Sequence, residues 1–336
     1  PEHHKEDIEL ICEVGCTTIR LAHYQHDQYF YDLCDEYGMV IWAEIPYISK
    51  HMPGGRENTI SQMKELITQN YNHPSIVVWG LSNEISIGGS DDDLLENHRI
   101  LNTLCHEMDP TRLVEDNSVC KRDHTATDVN SWHFYSNGYT RVKGVIDDFC
   151  NTAYIGTQAN YKEGYTMGDV PCMNSECGNV WGIEGNAGES DISWQYKYMM
   201  NEFRLADCLS GFIFTEFHDV VNEFNGYYRI DNTEKVFGFD GVFDGMSIHD
   251  LHSDLFLAYD AAPGRTVKGG ERIETPLLLS SVYDYEAKEE MVALCEYIAL
   301  EKNGKRTCIA SERFTVTDTS RGVHPIGTTA FTAPCE

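Results

Sequence analysis

The chain has 336 residues, 41% of them hydrophobic and 11% aromatic, enough for one large domain and part of a second. Its formal net charge is −29, from 25 Lys plus Arg against 54 Asp plus Glu, which disfavours nucleic acid and anionic membrane surfaces as partners. No apolar run reaches the roughly 18 residues that a membrane-spanning helix needs.

Twelve cysteines are spread along the chain and none forms a CxxC pair, so zinc ligation is not expected. Cys34, Cys172 and Cys208 fall inside strand or helix patterns, where a thiol acts as a small hydrophobe. This usage predicts a reducing, cytoplasmic setting without a disulfide framework.

From the N-terminus, residues 5–14 form an amphipathic helical pattern, followed by a strand-like run at 17–22 that contains Arg20. A helix at 27–37, a strand at 39–44, a helix at 59–71 and a strand at 76–84 come next. A helix at 94–108 precedes strands at 112–117 and 128–135, too close together for a full helix between them. A strand at 170–176, a helix at 192–208 and a strand at 211–216 complete the alternation. Strands that alternate with helices and are apolar throughout predict a parallel sheet buried on both faces.

The expected fold is a (β/α)₈ TIM barrel over residues 1–250 whose first strand lies before Pro1, because the helix at 5–14 has no strand ahead of it. After a polar and aromatic loop through Asp244, runs at 255–259, 275–283, 291–301 and 308–317 read as antiparallel strands. Asn303-Gly304 suits a tight hairpin. Residues 251–336 are therefore expected to form an incomplete β-sandwich of immunoglobulin-like type.

Glu84 ends one apolar run and Glu176 ends another, 92 residues later. At about 31 residues per strand-helix unit, three units separate them, the interval from the fourth to the seventh strand of a barrel. Both carboxyls would then reach one catalytic face, and glycoside cleavage uses such a pair. Arg20 is a cation within an apolar strand and calls for an acidic partner. Asn83, beside Glu84, could hold a sugar hydroxyl, and Glu44 closes another strand at the same level.

Tyr71-Asn72-His73-Pro74-Ser75-Ile76-Val77-Val78-Trp79-Gly80-Leu81-Ser82-Asn83-Glu84 resembles the acid/base signature of glycoside hydrolase family 2. Ile19-Arg20-Leu21-Ala22-His23-Tyr24 and the segment 30–38 resemble the second strand and helix of that family. Family 2 includes β-galactosidases, β-glucuronidases and β-mannosidases. The resemblance implies Glu84 as general acid/base, Glu176 as nucleophile, and His23, His133, Tyr135 and Asn225 as substrate-side residues. Trp181 would stack on sugar. Cys177 and Phe214 stand where the family more often has Tyr and Trp. The Asn-x-Lys element of β-glucuronidases is not evident after Asn225, where Gly226-Tyr227 follows. That favours a neutral sugar, galactose first, over the β-glucuronidase or β-mannosidase alternatives. A Glu-x-His magnesium element is also lacking after Glu44, so no cofactor or metal is expected. By analogy with the family the chain is expected to be a homo-oligomer. The alternatives of another class are a non-catalytic carbohydrate-binding barrel and an inactive fragment.

Overall fold

The computed structural model describes all residues except 87–91, 120–121, 137, 179–189, 222, 240–242, 244, 287–289 and 336, together with the Tyr139 side chain. The α/β part runs α1 (Glu2–Val14), β1 (Thr18–Leu21), α2 (Gln28–Tyr37), β2 (Val40–Glu44), α3 (Arg56–Asn70), β3 (Ile76–Gly80), α4 (Asp92–Met108) and β4 (Leu113–Glu115). It continues with β5 (Asn130–Tyr135), α5 (Tyr139–Thr152), β6 (Cys172–Gly178), α6 (Trp194–Leu205) and β7 (Gly211–Phe214). All seven expected strands are present. The helix α5 was not expected.

The seven strands are parallel and form two ladders, β1-β2-β3-β4 and β5-β6-β7, instead of one continuous cylinder. An irregular stretch links them. Asp128 N donates to Val114 O and His133 N to Val119 O, and no helix lies between β4 and β5 among the described residues. Ile41, Trp42, Ala43, Trp79 and Val114 are buried on these strands, as their unbroken apolar sequences require.

The segment before β3 sets where that strand starts. Asp35 pairs with His73 at 2.7 Å and accepts from Ser75 N at 3.0 Å. Arg112 donates to the carbonyls of Tyr71, His73 and Ile76 and to Asp109 Oδ2, which also accepts from Trp79 Nε1 at 3.0 Å. The residues from Tyr71 to Ser75 therefore act structurally: they lock the register of β3, and the chain beyond it emerges at a fixed place. Gly80 ends β3 facing Glu44 on one side and Glu115 on the other. A Cβ there would lie 2.6 Å from Trp42 Nε1 and 2.8 Å from Glu44 Cβ. Gly80→Ala is expected to cost about 1–3 kcal/mol of stability through overpacking, read as a shift in the denaturant midpoint.

Residues beyond the 3₁₀ turn Ile248–His252 form antiparallel sheets: β8 (Leu255–Tyr259), β9 (Arg272–Ser281), β10 (Met291–Leu300), β11 (Arg306–Val316) and β12 (Gly322–Thr332). Their order is β12-β9-β8 and β10-β11. The expected hairpin turn lies between β10 and β11, with Gly304 at φ 83°. The two sheets meet through Tyr297 stacked on Phe331, with ring centroids 4.5 Å apart. The last strand, β12, was not expected.

One cysteine expectation needs correction. Cys208 is not a thiol inside a helix: α6 ends at Leu205, and Cys208 is disulfide-bonded to Cys150 near the end of α5. Cys34 and Cys172 are buried thiols, as expected. No helix among the described residues is long and apolar enough to cross a membrane.

Candidate active site

Arg20 organises the site. It points from β1 into the space between the strands with a side chain only 1% exposed. One terminal nitrogen donates to Glu176 Oε1 at 2.6 Å and the other to Glu44 Oε2 at 3.0 Å and Asn83 Oδ1 at 2.8 Å. The acidic partner that its place in an apolar strand demanded is thus two carboxylates from β2 and β6. Glu44 also holds the His23 ring, Oε1 to Nδ1, at 2.8 Å. Asn83 spends its amide oxygen on Arg20, so its contribution here is to the carboxylate cage.

Glu176 lies within β6 with its side chain 11% exposed. The Tyr135 hydroxyl donates to its Oε2, and His133 Nδ1 lies 3.4 Å from the same oxygen. Burial alone would raise this carboxyl, but His133, Arg20, the Tyr135 hydroxyl and His23 outweigh burial and hold it at about 2. It is a carboxylate throughout the neutral range. Burial and the Glu176 charge in turn push the Tyr135 phenol far above its ordinary value, so it stays a donor.

Glu84 sits beyond the strand, which ends at Gly80, and not within it as the apolar run suggested. Its φ of 53° is left-handed, an uncommon conformation for a residue with a side chain, and Glu84 N is held by Ser118 O at 2.8 Å. This turn brings both Asn83 and Glu84 to the cavity. Glu84 is 33% exposed, and its Oε1 meets His133 Nδ1 at 2.8 Å. His133, Glu84 and Glu176 each bring one such atom within 4.8 Å of the others. Two carboxyls this close, one fixed as an anion and one open to solvent, suit nucleophile and proton donor. These three groups could also hold a cation, as could the buried set Glu115, Asp116 and His124.

Of the other expected residues, His23 lines the cavity, 3.9 Å from Glu176 Oε1 through Nε2. Asn225 does not line it. Its side chain is buried and its amide donates to Thr215 O. It braces a loop, so the direct sugar contact implied by resemblance is not what this arrangement offers. Trp181 lies outside the described residues. Two residues went unnoticed in the sequence, Glu216 just beyond β7 and Glu223. Both line the same cavity, whose volume is about 1620 Å³. Glu216 closes its apolar run as Glu84 and Glu176 close theirs, a signal that was available.

Residues 2–258 match the family model described as glycosyl hydrolases family 2, TIM barrel domain. The chain belongs to glycosyl hydrolase family 2. A β-glucuronidase of Bacteroides fragilis is 42% identical over 169 residues, covering 46% of this chain and 23% of that protein. A β-galactosidase of Priestia megaterium is 32% identical over 142 residues, covering 37% of this chain and 13% of that one. The crystal structure of an FMN-binding β-glucuronidase from Faecalibacterium prausnitzii L2-6 superposes with a TM-score of 0.61 at 27% identity, covering 99% of this chain and 53% of that one. The matches thus span under a quarter of these curated relatives and about half of the solved chain.

Proposed function

We propose that residues 1–250 are the catalytic part of a retaining exo-β-glycosidase that removes a terminal β-linked sugar, galactose first among the candidates. The observation that carries the reading is the carboxyl pair: His133 Nδ1 lies 2.8 Å from Glu84 Oε1 and 3.4 Å from Glu176 Oε2, so the two acids meet across one imidazole, and Glu176 is held ionised by Arg20, His133 and Tyr135. Retaining enzymes keep their two carboxyls about 5–5.5 Å apart, and inverting ones leave about 6.5–9.5 Å for a water. In the first step a Glu176 oxygen bonds the anomeric carbon as the bond to the leaving oxygen breaks, and Glu84 gives that oxygen a proton. In the second, Glu84 takes a proton from water, which attacks the anomeric carbon and frees Glu176.

The test is Glu84→Ala. Its turnover of poorly activated β-glycosides should fall by about 10²–10⁴-fold, the usual worth of general acid–base catalysis. Nitrophenyl substrates should lose less, and added azide should restore turnover and yield a β-glycosyl azide. An α-configured azide, or no rescue, would exclude retention through Glu176.

A second reading, terminal glucuronic acid, is favoured by the 42% identical relative, which is named a β-glucuronidase.

A further inference from the structure

The chain beyond β3 grips Glu84 from both sides. Ahead of it, Asn83 N donates to Tyr47 O at 2.9 Å and Asn83 O accepts from Ser49 N at 2.8 Å. Behind it, Ile85 packs its side chain in the apolar core, and both of its main-chain groups go to one side chain. Ile85 N donates to Asn117 Oδ1 at 3.2 Å, and Ile85 O accepts from Asn117 Nδ2 at 2.8 Å. Asn117 follows β4 by two residues and is fully buried. Its amide pairs with Ile85 as a neighbouring strand would, at a level where the regular ladder of β3 and β4 has ended.

The orientation of that amide is set by its partners, since only its nitrogen can donate to Ile85 O and only its oxygen can accept from Ile85 N. Ser82 Oγ braces it, 3.1 Å from Asn117 Oδ1, 3.0 Å from Asp116 O and 2.8 Å from His98 Nε2. His98 is buried on α4, and burial lowers its ring to about 4, so the brace is neutral at pH 7. Glu84 itself stands at φ 53°. A residue with a side chain leaves that region when its chain is free to do so. In an extended chain, neighbouring side chains point to opposite faces. Asn83, held by Arg20 at 2.8 Å, would then keep the cavity, and Glu84 would turn away from His133.

On the glycosidase reading above, we propose that Asn117 is a positioning residue for proton transfer: by clamping both main-chain groups of Ile85 it keeps Glu84 in its left-handed turn and aims the carboxyl at the leaving oxygen. Glu176 takes its contacts from Arg20, Tyr135 and His133, so the nucleophile's cage does not pass through Asn117. Loss of the clamp therefore acts on one half of the chemistry. Departure of a poor leaving group, which needs the proton, is slowed. Attack by Glu176 on a substrate whose leaving group needs no proton is not.

The experiment measures kcat/KM for dinitrophenyl and methyl β-galactosides, with the two β-glucuronides in parallel, in the wild type, Asn117→Ala and Ser82→Ala. This ratio reports the steps up to departure of the leaving group. Dinitrophenolate leaves without a proton and methanol does not, so Asn117→Ala should lose less than about threefold on the first and about 10²-fold on the second. Active sites are counted by the dinitrophenolate released from a 2-fluoro glycoside, so misfolded protein enters neither number. Ser82→Ala, which removes only the brace, should show the same selectivity at about tenfold, the worth of one buried hydrogen bond. Should Asn117→Ala yield no countable sites, Ser82→Ala decides alone. Equal losses on the two substrates, or no loss on either, overturn the assignment and leave the glycosidase reading standing. A wild type that neither cleaves these glycosides nor is trapped by the 2-fluoro sugar removes both.

Discussion

Glu176→Ala should lose on the order of 10⁴–10⁶-fold in turnover of every β-glycoside, with no rescue of the retained product, because removing a nucleophile removes the covalent route entirely. Structural collapse is not the expected cause. Arg20 keeps Glu44 and Asn83 when Glu176 is gone, so the cation is not stranded. The variant should give a circular dichroism spectrum like the parent's and still bind sugar. In the parent, a 2-fluoro glycoside should become covalently attached at Glu176, read by mass spectrometry of the digested protein. Attachment elsewhere, or residual turnover within about a hundredfold of the parent, would contradict the assignment.

Arg20→Met should act on stability and on the acid limb together. Glu44 and Glu176 would face one another without their shared cation, and breaking a buried pair by removing one partner costs about 3–5 kcal/mol. The pH effect has a definite sign. The folded Glu176 carboxyl lies at about 2, below its ordinary 4.5, so its contribution to stability is complete above 4.5 and is lost as pH falls toward 2. Without Arg20, burial gains on the remaining partners and the carboxyl rises. The acid limb of kcat/KM should therefore move to higher pH in the variant, while the stability lost on acidification below 4.5 should shrink, because the folded and unfolded values of Glu176 draw together. An acid limb that stays in place would mean that His133 and Tyr135 alone hold the charge. Arg20→Lys should recover only part of the effect, since an ammonium cannot reproduce the two-pronged guanidinium contact.

Much of this was legible because buried parallel strands leave continuous apolar runs. The seven runs, their helices and the two terminal acids could be read from that regularity alone. Other parts left weaker marks. Helix α5 carries Val142, Ile146 and Phe149 at helical spacing, but Gly144 interrupts its pattern. Strand β12 contains Pro325, Gly322 and Gly327, residues that normally argue against a strand, and it pairs with β9 around an irregularity between Pro325 and Gly327. The left-handed turn at Glu84 has no sequence signature, since nothing local distinguishes it from continuing strand. The task of Asn225 depends on where Thr215 lies in space. Motif resemblance drew attention to the residue but could not say whether its amide served the sugar or the chain. Glu216 was missed for the opposite reason: its position in the run was visible, yet no motif drew attention to it.

The Cys150–Cys208 bond has a consequence for the strand that bears Glu176. Its two ends are 58 residues apart in sequence, and β6 lies wholly between them. The reactive strand therefore belongs to a covalent macrocycle. Ring closure of that size lowers the freedom of the unfolded chain by about 4 kcal/mol in the entropic account. Should the surrounding helices melt, this segment would still be leashed, and its return path would be short.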